Sequence, residues 1–293
     1  MRGILRRMTT TSLTETLRLP GGPVDLTTYD SRATPGFHGG KKDQPAAMEA
    51  IAGGLSDHQE RLYAGGLTGT GDGRVLLVLQ GMDTSGKGGT VRHAVGLLDP
   101  QGVRLTSFKA PTAEELEHDF LWRIERALPK SGEVGIFDRS HYEDVLIARV
   151  RALAEPSEIE RRYDAINAFE QELADSGCTV VKCFLHISPD DQLERLRARL
   201  DDPTKHWKYN AADVDERMLW PRYQQAYETA LERCSTDAAP WFVVPSGRKW
   251  YRNWAVAQLL AEHLADVAPA WPKADFDVDV ERERLDATAD VGS

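Results

Sequence analysis

Residues Arg74 to Arg92 read RVLLVLQGMDTSGKGGTVR. Five of the six residues from Val75 to Gln80 are apolar, a run too short for a helix and bounded by Gly73 and Gly81. That pattern predicts a buried parallel strand. Gly81 to Lys87 then fills the G-x-x-x-x-G-K frame of a phosphate-binding loop. Glycines allow positive φ and let the backbone approach a phosphate closely. Successive N–H groups then point at the anion, and the following helix adds the positive end of its dipole. Lys87 supplies a mobile cation. The place after the lysine, where the usual loop has Ser or Thr to hold Mg²⁺, is Gly88, and Thr90 comes two places late. Asp83, inside the loop, becomes the candidate metal holder. The competing reading is a glycine-rich turn without a ligand. Strand, full frame and helix occurring together favour the phosphate.

Working outward, the loop helix is expected from about Gly86 to Leu98, stopped by the Asp99-Pro100-Gln101-Gly102 turn. Arg104–Phe108 reads as a second strand. Thr112-Ala-Glu-Glu115 has capping-box spacing, and Leu116, Phe120, Ile124 and Leu128 recur at i+4, predicting one helix ended by Pro129. Val134–Phe137 is a third strand, Thr179–Ile187 a fourth and Trp241–Pro245 a fifth. Helices are expected over Glu158–Asp175, from Ser188-Pro189 onward, in one long stretch to about Arg233, and over Lys249–Ala265. A further helix, loosened at Gly53-Gly54, is expected from Ala46 to Tyr63. Strand and helix alternate, so the fold class is α/β: a parallel sheet with helices on both faces and ligands at the carboxyl ends of the strands. Residues 1–42 read as an extended, partly disordered arm, 43–270 as one domain and 271–293 as an acidic tail.

Bulk properties narrow the class. The 293 residues carry 41% hydrophobic and 28% charged side chains, ordinary for a globular protein. A formal charge of −10 argues against nucleic-acid binding. Cys178, Cys183 and Cys234 have no metal spacing and suit free thiols in a reducing cytoplasm. No apolar run of about 18 residues predicts a membrane span. MRGILRRMTTTSL is basic but lacks a signal-peptide core, and Met8 is a candidate alternative start.

The third strand ends in Asp138-Arg139, a second hallmark of phosphate-loop enzymes. Alone it is weak, because many strands end in Asp for turn reasons. Joined to the loop, it suggests that Asp83 and Asp138 share Mg²⁺ or Mn²⁺, since oxygen donors suit those ions better than zinc. Lys109, Arg123 and Arg139 sit at strand ends or early in a helix. From Arg195 to Lys208, five cations face two acids. A solvated helix face is the bland reading. Next to Pro203, His206, Trp207 and Tyr209 the segment reads instead as a lid, about 195–215, closing over phosphates with Arg195, Arg199, Lys205 and Lys208. The histidines share no metal spacing, and the tryptophans read first as packing.

LQGMDTSGKGGTVRH, FKAPTAEELEHDFLWR, GEVGIFDRSHYEDVL, KHWKYN…DERMLW and RKWYRNW resemble, in that order, the polyphosphate kinases of family 2. The likeness runs from about Leu55 to Leu260. It implies a thymidylate-kinase-like P-loop domain with a helical lid, moving phosphoryl groups between inorganic polyphosphate and nucleotides with Mg²⁺ or Mn²⁺. It implies catalytic roles for Asp83, Lys87, Arg123, Asp138 and Arg139. Phosphate or nucleotide binding would fall to Gly81, Met82, Thr84, Ser85, Gly86, Gly88, Gly89, Thr90, Arg92 and Lys109. The family also lacks Ser or Thr after the loop lysine. The wording resembles the subclass using both AMP and ADP, and leaves ATP and guanine nucleotides as further partners. Exposed apolar helix faces make a homo-oligomer the expected assembly. An ATP-dependent nucleoside monophosphate kinase shares this fold and is the alternative; a phosphate-loop binding protein without turnover is a rival of another class.

Overall fold

The structure, a computed structural model, describes residues 12–289. Expectations for the first eleven residues, the alternative start at Met8 included, and for residues 290–293 lie outside it. The described residues form one five-stranded parallel sheet of β1 (Arg74–Gln80), β2 (Val103–Ser107), β3 (Val134–Asp138), β4 (Cys178–His186) and β5 (Trp241–Pro245), in the order β2-β3-β1-β4-β5. The chain leaves β1 toward β2 on one side and crosses from β3 to β4 on the other, so the topological switch lies at β1. Leu79 pairs with Asp138 across β1 and β3, which brings the ends of both strands to the same level.

The helices are α1 (Leu13–Leu17), α2 (Gln44–Thr68), α3 (Lys87–His93), α4 (Ala113–Leu116), α5 (Trp122–Glu125), α6 (Ile147–Val150), α7 (Pro156–Asp175), α8 (Pro189–Leu200), α9 (Ala212–Met218), α10 (Trp220–Arg233), α11 (Lys249–Val267) and α12 (Val278–Asp286). The continuous apolar runs of the strands follow from their double cover. Leu76, Val78, Phe137, Val180 and Phe184 pack with α7 and α10, while Val75, Leu77, Leu79, Ile136 and Val181 pack with α2 and α11. Among the described residues no helix is long and apolar enough to cross a membrane.

Several helix expectations differ from the structure, and the loop helix α3 ends at His93 rather than near Leu98. The stretch after Thr112 keeps its capping box but breaks into α4 and α5. The Asp119 carboxylate accepts the Leu121 N–H at 3.0 Å, a local bond that competes with the helix ladder, and Leu116 is left exposed. The long stretch to Arg233 divides at Leu219 into α9 and α10, with Pro221 in the first turn of α10, where its missing N–H costs nothing. Gly53-Gly54 does not interrupt α2, and the tail contains α12, capped by Asp277.

The described part of the arm is tied down. Glu262 accepts the Leu13 and Thr14 N–H groups at 3.0 and 2.8 Å. Leu13, Leu17, Leu19 and Leu26 are buried, and Arg18 forms an antiparallel bridge with Phe242 at the β5 edge.

Candidate active site

The loop between β1 and α3 has the conformation its glycines allow. Gly81 and Gly86 have φ of +149° and +108°, and Thr84 enters the left-handed region at +65°. Lys87 folds back so that its Nζ donates to the Gly81 carbonyl at 2.8 Å, closing the loop on itself. Burial pushes the Lys87 ammonium below its ordinary pKa, and the Asp83, Asp138 and Glu143 carboxylates oppose that shift. The Arg139 charge works with burial to lower it.

Arg139 follows β3 at φ +66°, and its Nη2 lies 3.1 Å from Asp83 Oδ1. Glu143 comes from the next turn, His141–Asp144. Its carboxyl is raised above the ordinary value by burial, with Arg139 and Lys87 pulling the other way. Gln80 ends β1 between these groups. With its amide oriented by the hydrogen-bond network, its nitrogen donates to Glu143 at 3.1 Å and its oxygen accepts from the Ser140 N–H at 3.1 Å.

A cavity of about 200 Å³ opens here, lined by Gly81, Met82, Asp83, Arg139, Glu143 and Ile147 from the sheet side. Asn210, Ala212, Asp213 and Glu216 line it from the segment around α9, and Tyr223 and Tyr227 from α10. Burial raises the Asp213 carboxyl, and the nearby Asp83 charge adds to the shift. Arg199 on α8 holds Asp213 at 3.1 Å and the Lys208 carbonyl at 2.9 Å, so the expected lid segment is tied to α8 and faces the loop across the cavity.

Several expected site residues stand elsewhere. Arg195 is not a lid cation facing phosphate. It is 8% exposed, and its guanidinium donates to the Thr84 and Ser85 carbonyls at 2.8 and 3.0 Å and to those of Ser246 and Gly247. It clamps the loop from behind. Thr90 is buried and its hydroxyl bonds the Gly86 carbonyl at 3.3 Å, so it is turned into its own helix. Arg92 is exposed on α3, beyond the loop. Lys205 pairs with Asp202, and Lys208 lies over the exposed Trp207 ring at 4.8 Å. Gly88 is exposed and open, Gly89 faces Arg252, and Ser85 is fully buried with no partner for its hydroxyl among the described residues.

Arg123 and Lys109 belong to a second hollow at the end of the edge strand β2, shared with Arg104, Arg126 and Glu115. There Arg123 is nearly buried, donates to the Lys109 carbonyl at 2.9 Å and lies 3.4 Å from Asp144. The sequence reading overlooked Glu143, Asp213, Glu216 and Arg252. Arg252 is 3% exposed, donates to the Ser85 carbonyl at 3.1 Å and fills the space beside Gly86 and Gly89. The HYED and RKWYRNW runs were visible, but nothing local in them distinguishes a cavity wall from a solvated turn.

Among the described residues no three His, Cys, Asp or Glu side chains are grouped closely enough to hold a metal ion by themselves. Asp83 in the loop and Asp138 at the end of the neighbouring strand are still the hard oxygen donors that Mg²⁺ takes when phosphates and water complete its shell. The donor set fits such an ion.

Residues 40–270 match the family model for Polyphosphate kinase 2. The chain is 45% identical over 256 residues to the AMP/ADP-polyphosphate phosphotransferase of Meiothermus ruber, covering 87% of this chain and 94% of that one. It is 39% identical over 265 residues to the ADP-polyphosphate phosphotransferase of Rhodopseudomonas palustris, covering 86% and 90%. The crystal structure of polyphosphate kinase 2 from Arthrobacter aurescens TC1 superposes with a TM-score of 0.92 at 52% identity, covering 95% of this chain and 98% of that one.

Proposed function

The chain belongs to the polyphosphate kinase 2 family, and from that premise we propose that it transfers phosphoryl groups reversibly between inorganic polyphosphate and nucleoside mono- and diphosphates, AMP to ADP and ADP to ATP. The observation that carries the reading is the meeting of Asp83, Arg139 and Glu143 on one cavity beside the phosphate loop, with Asp138 at the end of β3 level with Leu79 of β1. The acceptor's terminal phosphate oxygen is already an anion. Transfer therefore needs in-line positioning and charge neutralisation rather than a strong base. Lys87 and Arg139 supply the cations beside the reacting phosphates, and the α9 segment excludes water. Arg123, in the neighbouring hollow, neutralises phosphates further along. A phosphoanhydride is broken and another formed, so the step lies near balance.

Mg²⁺ or Mn²⁺ is part of the proposal, held by Asp83 and Asp138; when bound, it neutralises charge on the phosphates. Guanine nucleotides as acceptors, a homo-oligomer and a reducing cytoplasm complete the reading. Buried free thiols at Cys178, Cys183 and Cys234 are consistent with that compartment.

The test is donor choice with the purified full chain. AMP or ADP is supplied with long polyphosphate and Mg²⁺, without ATP, and the nucleotides are separated. ADP and ATP formation is expected, with GMP in a parallel arm. Product only when ATP replaces polyphosphate would identify the ATP-dependent alternative, and no product with either donor would leave a binding protein.

A further inference from the structure

The turn that carries Glu143 is anchored by charge inside the core. Lys182 sits in the middle of β4 and is fully buried. Its ammonium has three acceptors: Glu170 Oε2 at 2.5 Å, the Cys234 carbonyl at 2.6 Å and the Tyr142 hydroxyl at 2.7 Å. The other Glu170 oxygen accepts the Tyr142 O–H at 2.9 Å and faces His141 Nε2 at 3.1 Å. Lys182, Glu170, His141 and Tyr142 all have no exposed surface.

None of these four groups lines the cavity, but His141 and Tyr142 are flanked in their turn by Arg139 and Glu143, which do. Tyr142 directly precedes Glu143, and Ser140 directly follows Arg139. The Ser140 hydroxyl accepts the Tyr142 N–H at 3.2 Å, which joins the network to the end of β3. Arg139 itself keeps φ at +66°, a conformation a non-glycine residue holds only where its surroundings impose it.

A buried ion pair is a poor source of stability, because desolvating two charges offsets their attraction, and apolar residues of similar volume fill a core at least as well. What charges supply is a single geometry. Every proton of the Lys182 ammonium has one acceptor and both Glu170 oxygens are engaged, so the turn has one seat. We propose that the Lys182–Glu170 pair, acting through Tyr142 and His141, is a positioning device that holds the Arg139–Glu143 turn in the geometry phosphoryl transfer requires. The proposal rests on the phosphotransferase reading above. Neither charged residue reaches the cavity wall.

The test uses two variants of the full chain. Lys182→Met combined with Glu170→Leu removes both charges at similar volume, and Tyr142→Phe removes only the bridging hydroxyl. Expected for the double variant are a cooperative melt, a fall of kcat by about tenfold or more, and faster hydrogen exchange at amides 140–144 with unchanged protection in β1. Tyr142→Phe should move kcat and exchange in the same direction. A lowered melting temperature with wild-type kcat per folded molecule and wild-type exchange at 140–144 overturns the proposal, since that is what a purely structural role gives. If the double variant does not fold, Tyr142→Phe decides by the same two readouts. Exchange needs no substrate. An inactive wild-type chain therefore counts against the phosphotransferase reading, while unchanged exchange in the variants counts against the positioning role.

Discussion

Arg139 and Asp83 face each other across the floor of the cavity, with Nη2 3.1 Å from Oδ1 and both side chains partly open to solvent, at 38% and 27% exposure. An ion pair that open contributes about 0–1 kcal/mol to the fold. Its importance is that it places an acid from the loop after β1 and a cation from the turn after β3 on one cavity.

That arrangement separates activity from stability. Asp83→Asn, Lys87→Ala and Asp138→Asn should each lower phosphoryl transfer by at least about a hundredfold, because each removes charge placed where the transition state needs it. Melting temperatures should stay within about 3 °C of wild type for Asp83→Asn, since the open pair holds little of the fold. Steady-state rates beside a thermal melt test this, and near-normal turnover in any of the three removes that residue from its assigned role.

The loop glycines should respond unequally to alanine. A Cβ on Gly86 would overlap the Arg252 guanidinium, and φ at +108° strains any L side chain. A Cβ on Gly89 would lie 2.7 Å from Arg252 Nη2, while one on Gly88 meets nothing within 4 Å. Gly86→Ala should therefore destabilise the ligand-free chain by about 1–3 kcal/mol. Gly88→Ala should leave it unchanged or raise it by up to about 1 kcal/mol through helix propensity. Chemical denaturation of the free protein reads both, and equal effects would contradict the placement of Arg252.

What was legible in the sequence follows from how local the cause is. Strand runs such as Val75–Leu79, the loop frame from Gly81 to Lys87 and Asp138 at a strand end are written in adjacent residues, and the structure has them where the pattern put them. The Thr112 capping box was equally local, but the end of that helix was not, because one Asp119 bond outweighs an i+4 stripe. The lid basic run misled for a different reason. Charge spacing does not tell whether an arginine faces water or a row of carbonyls, and Arg195 finds its carbonyls on a loop more than a hundred residues away. Glu143 on the turn after β3 and Asp213 on α9 are about 70 residues apart and share the cavity only through the tertiary fold.

The two roles now assigned to the basic run are separable. Arg195→Leu leaves the Thr84, Ser85, Ser246 and Gly247 carbonyls without their donor. Charge-assisted hydrogen bonds contribute about 1.5–3 kcal/mol each and are not additive, so a total loss of about 3 kcal/mol or more is expected. Lys205→Ala removes an exposed pair and should cost less than about 0.5 kcal/mol. Urea midpoints measured on both variants check this. A stable Arg195→Leu protein would mean the clamp does not hold the loop.

The arm gives a prediction in pH. Asp191, buried at the start of α8, accepts from the Ser31 hydroxyl at 2.6 Å and from Arg32 Nε at 2.8 Å, fastening residues 31 and 32 to the site's scaffold. Burial alone would raise its carboxyl, but the hydrogen bonds from Ser31, Ser188 and Arg32 outweigh it and hold the value at about 2, below the ordinary 3.8. A depressed acid stabilises the fold fully above its unfolded value, and that contribution is lost as pH falls through the folded value. Glu143 works in the opposite sense. Raised by burial, its neutral form favours the fold, so its contribution is present below 4.5 and disappears as pH rises through its folded value. The wild-type stability profile therefore mixes two slopes, and the clean measurement is the difference from Asp191→Asn, which shares Glu143. That difference should be constant from about pH 5 to 8 and shrink from about pH 4 toward 2. Urea titrations at stepped pH would read it, and a gap that persists unchanged at pH 2 would show that the Asp191 charge is not what ties the arm down.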